Sequence, residues 1–178
     1  MLDNARGLIA AAERAPAAEA IVEGDKRLTY RELLDAARRV ASGLDALGVR
    51  KGEHLLTILQ NTWQAAVLHW ACQLAGVIIT PVNWRATADE VTYFLGDSTA
   101  RALVYQDISA QAVAGSEAAQ GCARIAVCVD GSGDTDFETL LAAETAGSPE
   151  ITVNPDDTSV MLYTSGTTGA GKGVPRSH

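Results

Sequence analysis

The chain has 178 residues, 47% hydrophobic and 20% charged, enough apolar material for one domain with a buried core and too much for a disordered tail. Its formal net charge of −8 argues against nucleic acid or an anionic membrane surface as partner. The N-terminus carries an early acid, Asp3, and no sustained apolar run, so it does not read as a secretion signal and a cytoplasmic location is expected.

Helical periodicity predicts a first helix over 2–14, and 19–30 reads as two short strands about the turn Gly24-Asp25-Lys26. Thr29 and Glu32 have the spacing of a capping box. Behind them Leu33, Ala37, Val40, Leu44 and Leu47 recur at steps of four and three until Gly48 ends the helix.

From His54 to Trp84 there is no Asp, Glu, Lys or Arg, yet Gln60, Asn61, Gln64, His69, Gln73, Gly76 and Pro81 interrupt the run. It therefore reads as a buried strand (55–59), a helix (62–75, with Val67, Trp70, Ala71 and Leu74 on one face) and a strand (77–80), not a membrane span. Thr87 and Glu90 form a second capping box, opening a short helix through Leu95. A strand over 102–105, a helix over about 109–119, a strand over 124–129, the turn Asp130-Gly131-Ser132-Gly133 and a short helix over 137–143 follow. Residues 145–157, with Gly147, two prolines and three acids, predict a surface connection into a last apolar strand over 159–163. This alternation of helix and strand is the signature of an α/β architecture.

The three cysteines, Cys72, Cys122 and Cys128, form no CxxC pair and read as small buried hydrophobes. His54, His69 and His178 have no mutual metal-ligand spacing. Trp63 and Trp70 stand at helical spacing, which favours core packing over a ligand pocket.

Directly after the last strand comes Thr164-Ser-Gly-Thr-Thr-Gly-Ala-Gly-Lys-Gly173, with four hydroxyls, four glycines and one lysine. Glycines let successive backbone N–H groups converge on an anion, while hydroxyls and a mobile ammonium suit phosphate oxygens. A flexible linker has similar composition, but a loop leaving a buried strand is where α/β folds bind ligands. The run also contains GxxxxGK. A P-loop, however, needs Ser or Thr after the lysine and a helix starting there, whereas this chain has Gly173, Val174 and Pro175.

The stretch from Tyr163 through Thr164-Ser165-Gly166-Thr167-Thr168-Gly169 to Lys172-Gly173-Val174 resembles the phosphate-binding signature of the AMP-forming, adenylate-forming enzymes, which include the acyl- and aryl-CoA synthetases. Leu28-Thr-Tyr-Arg-Glu-Leu33, Ala75-Gly-Val-Ile-Ile-Thr-Pro-Val-Asn83 and Asp156-Asp-Thr158 extend the resemblance over most of the chain, and Pro81-Val-Asn-Trp-Arg85 is similar to the CoA-ligase branch.

That resemblance implies a mostly parallel sheet flanked by helices, with 1–178 forming the N-terminal part of an AMP-binding adenylation domain and the fold incomplete. It implies ATP, Mg2+ and coenzyme A as the groups handled, with a carboxylic acid, aromatic by the likeness of Val174-Pro-Arg-Ser-His178, as substrate. Thr164, Ser165, Gly166, Thr167, Thr168, Gly169 and Lys172 would bind nucleotide phosphates. Thr164 would sit beside Mg2+, and Lys172 would support catalysis. Gly171 stands where the family usually has proline, which implies a looser loop.

A chain ending at His178 would hold half an ATP site. Such a chain is expected to be inactive alone and to self-associate through apolar surface, together with an unpaired strand edge, left open on the last strand. The alternatives are a nonenzymatic phosphate- or nucleotide-binding module and a P-loop NTPase.

Overall fold

The computed structural model describes residues 3–127, 135–145, 153–164 and 171–178. Helix α1 (Asn4–Arg14) opens at Asp3, whose carboxylate accepts from the Arg6 backbone N–H at 2.8 Å. Strands β1 (Glu19–Glu23) and β2 (Lys26–Thr29) form a separate antiparallel ribbon whose turn places Gly24 at φ +55°. Helix α2 (Tyr30–Ala46) starts with both arms of the expected capping box. The Thr29 N–H donates to Glu32 at 2.8 Å, and the Glu32 N–H donates to the Thr29 hydroxyl at 3.3 Å.

The main sheet comprises β3 (His54–Ile58), β4 (Ile78–Pro81), β5 (Ala102–Gln106), β6 (Ala123–Val127), β7 (Thr135–Asp136), β8 (Thr158–Thr164) and β9 (Lys172–Ser177), in the order β7-β6-β5-β3-β4-β8-β9. Every neighbouring pair is parallel except β8 and β9, which form an antiparallel hairpin. Helices α3 (Trp63–Ala75), α4 (Ala88–Ser98), α5 (Asp107–Gly115) and α6 (Phe137–Leu141) complete the chain.

Side-chain alternation along the strands divides the core in two. Leu55, Ile79, Val104 and Ile125 meet α1, α2, α3 and α6 on one face. Leu56, Ile58, Leu103 and Tyr105 meet α4 and α5 on the other. Burial on both faces is what a parallel sheet needs, and it explains why 54–84 carries no charge. Among the described residues no helix is long and apolar enough to cross a membrane.

Several boundaries differ from expectation for identifiable reasons. Helix α3 buries Val67, Leu68, Ala71 and Cys72, while Trp70 and Leu74 are only half-buried, because α1 and α2 pack against it as well as the sheet. Helix α4 runs past Leu95 to Ser98 and is stopped by Thr99 in the left-handed region at φ 52°. The helix expected over 109–119 is two pieces, α5 and a 3-10 turn at Ala118–Gly121. The break is at Ser116, whose hydroxyl lies 2.8 Å from that of Thr92 on α4 and accepts from the Ala119 N–H at 3.3 Å.

Cys72 is fully buried, and burial pushes its thiol pKa up. Cys122 is half-buried, and Cys128 lies outside the described residues, as does the expected turn over 130–133. Trp63 packs edge-on against Phe137 at 5.5 Å, as core packing requires.

The hairpin corrects a second expectation. Strand β8 is not left with an open edge: β4 covers one side and β9 the other, from Thr158 opposite Ser177 to Thr164 opposite Lys172.

Candidate functional site

The hydroxyl and glycine run joins β8 to β9 at the carboxyl end of a strand parallel to β4, the end at which open α/β sheets place ligands. Thr164 is the last residue of β8 and Lys172 the first of β9, and the two face each other across the hairpin. Both are exposed. The Thr164 hydroxyl donates to the Lys172 carbonyl at 3.4 Å. Ser165, Gly166, Thr167, Thr168 and Gly169 lie outside the described residues. Because Lys172 opens a strand where a P-loop lysine would open a helix, the GxxxxGK match is not a P-loop.

Sequence reasoning missed the groups that flank this pair. A cavity of about 450 Å3 lies between α4 and the hairpin, lined by His54, Tyr93, Asp97, Met161, Tyr163 and Lys172 among others. The Tyr163 phenol donates to Asp97 at 2.6 Å, and the Tyr93 phenol donates to the Gly171 carbonyl at 2.8 Å. Partial burial, and then the Asp97 carboxylate it bonds, push the Tyr163 pKa well above the usual phenol range, so it stays a donor at any physiological pH. His54 lies 2.9 Å from the Thr80 hydroxyl, and burial lowers its pKa by disfavouring the charged ring. The signal that could have located these residues was the capping box at Thr87, which fixes the start of α4. Tyr93 and Asp97 then fall four apart, on one face.

The described residues contain no group of three or more His, Cys, Asp or Glu side chains able to hold a metal. Thr164 contributes a single hydroxyl, already turned toward the Lys172 carbonyl, so these residues do not make a metal centre of their own.

A mostly parallel sheet with helices packed on both faces places the chain among the α/β proteins. The model of the AMP-binding enzyme family matches residues 8–178, and the chain belongs to that family. It is 31% identical over 165 residues to the long-chain-fatty-acid–CoA ligase FadD13 of Mycobacterium tuberculosis, covering 92% of this chain and 32% of that protein. It is 32% identical over 167 residues to a feruloyl-CoA synthase of Amycolatopsis sp, covering 94% and 32% respectively. Among solved structures it resembles a benzoate CoA ligase from Burkholderia xenovorans LB400, with a TM-score of 0.85, 28% identity, and coverage of 99% of this chain and 35% of that one. The chain thus spans about a third of the length of the relatives it matches.

Proposed function

We propose that this chain supplies the phosphate-binding part of an ATP-dependent, AMP-forming carboxylate–CoA ligase. The reading is carried by one observation: in a member of the AMP-binding enzyme family, the Thr164 to Lys172 run leaves the carboxyl end of β8 with a hydroxyl and an ammonium-bearing residue paired at its neck.

In the first step a carboxylate oxygen bonds to the α-phosphorus of ATP, the bond to the β-phosphate oxygen breaks, and pyrophosphate leaves. In the second, the thiol of coenzyme A attacks the acyl carbon and AMP departs. Hydroxyls of Thr164, Ser165, Thr167 and Thr168, amides at Gly166 and Gly169, and the Lys172 ammonium would hold the β- and γ-phosphates, where leaving-group charge accumulates. Thr164 would offer its hydroxyl to Mg2+ carried in on the triphosphate. The relatives' names span a long-chain fatty acid, ferulate and benzoate, which supports a carboxylic acid and an acyl or aryl substrate class.

The deciding experiment is pyrophosphate exchange by the whole gene product across a panel of aliphatic and aromatic acids. Acid-dependent exchange is expected, with no acyl-AMP from the 178-residue chain alone. Hydrolysis of ATP to ADP without any acid requirement would overturn the reading.

A further inference from the structure

Two phenol contacts join α4 to the two sides of the hairpin, one at the residue on the loop side of Lys172 and one at the residue on the strand side of Thr164. The Tyr93 phenol holds the carbonyl of Gly171, the residue before Lys172, at 2.8 Å. The Asp97 carboxylate holds the phenol of Tyr163, the residue before Thr164, at 2.6 Å. Tyr93 and Asp97 lie on one face of α4. Between them the Phe94 ring packs on Tyr163 at 4.7 Å and on Tyr93 at 5.5 Å, so the contacts rest on an ordered aromatic cluster.

Gly171 fits the same arrangement. A Cβ placed there would stand 2.8 Å from the Thr164 carbonyl oxygen, so the neck closes to this distance only because the residue is glycine. Sequence reasoning takes glycine here as a loosening of the loop; in the structure it permits a tighter neck that Tyr93 then holds.

We propose that α4 is a brace and that Tyr93 and Asp97 are positioning residues, fixing Thr164 and Lys172 opposite each other before nucleotide arrives; this rests on the phosphate-site reading above. Neither residue touches phosphate: each acts through its hairpin partner. Groups already fixed lose less conformational entropy when they bind, so the brace strengthens ATP binding and leaves the thioester half-reaction alone.

In the whole ligase, Tyr93→Phe and Asp97→Ala are each expected to raise the KM for ATP about 3- to 10-fold, the range of one hydrogen bond. The KM for the acid, kcat, and thioester formation from supplied acyl-AMP stay near wild type. Asp97→Asn, which keeps an acceptor oxygen, restores most of the effect.

In the 178-residue chain, amide exchange at Thr164, Lys172 and Gly173 should accelerate in Tyr93→Phe and Asp97→Ala, while β3 and β5 amides stay as they were. The brace is overturned if KM and hairpin exchange both remain at wild-type values, or if kcat falls in both half-reactions with every KM unchanged, the mark of a general folding loss. Should the wild-type ligase show no pyrophosphate exchange at all, the ligase reading fails, and the hairpin exchange rates still decide whether α4 braces the neck.

Discussion

Lys172 is the residue on which the phosphate reading bears most directly, because it is exposed and set opposite Thr164. A charge-assisted hydrogen bond contributes about 1.5–3 kcal/mol, so Lys172→Ala should slow adenylation by roughly 10- to 100-fold. Thioester formation from supplied acyl-AMP involves no β- or γ-phosphate and should be nearly unaffected. Equal loss in the two half-reactions, assayed separately, would remove Lys172 from the phosphate site. A second single-residue expectation concerns stability. A Cβ at Gly43 would lie 2.8 Å from Leu140 Cδ2 and 3.0 Å from Leu140 Cα, and the latter is backbone that cannot swing aside. Ala is favoured over Gly in a helix by about 1 kcal/mol, but overpacking costs about 1–3 kcal/mol. Gly43→Ala is therefore expected to lower the urea midpoint, and an unchanged or higher midpoint would show that α6 yields freely.

At the scale of elements, the helix starts are the most exact predictions, and their energetics can be tested separately. Thr87→Ala removes the hydroxyl that accepts the Glu90 N–H at 3.3 Å and should cost about 1 kcal/mol in chemical denaturation. At α2 the Thr29 backbone N–H, and then its hydroxyl, bond the Glu32 carboxylate and hold its pKa below the ordinary 4.5. The folded pKa is depressed, so the stabilisation is present above about 4.5 and lost as pH falls through the lower folded value. Glu32→Gln should accordingly lower the melting temperature at neutral pH, with the gap from wild type closing in acid; a gap that widened in acid would contradict the sign. Both boxes were legible because their partners are three residues apart. Contacts between distant segments were not. The break at Ser116 depends on Thr92 from another helix, and the Tyr163 to Asp97 bond joins residues far apart in the chain. Strand β9 was hidden for another reason: Gly173 and Pro175 are poor strand formers, and only pairing with β8 makes the segment extended. Thr164 and Lys172 were legible as a chemical pattern, but their placement on one rung required the hairpin.

For the whole molecule, the hairpin is the surface through which self-association of the chain is expected. Strand β9 is exposed along its length, yet its edge is a poor template for pairing: Pro175 has no N–H to donate, and Lys172 and Arg176 bring like charges. Edge-to-edge addition of another sheet is therefore disfavoured, and the apolar face of the hairpin is the better candidate. Leu162 and Val174 are directly opposed across the two strands and remain 37% and 41% exposed, and such a cross-strand apolar pair gains by being covered at about 25 cal/mol per Å2. The 178-residue chain is accordingly expected to self-associate face to face through these two side chains, with an apparent mass that rises across a dilution series in sedimentation. Replacing both by lysine should give a monomer whose circular dichroism is unchanged, since neither side chain belongs to the buried core. A wild-type chain that stays monomeric at every concentration would refute the association, and an oligomer that survives the double substitution would move it to another surface.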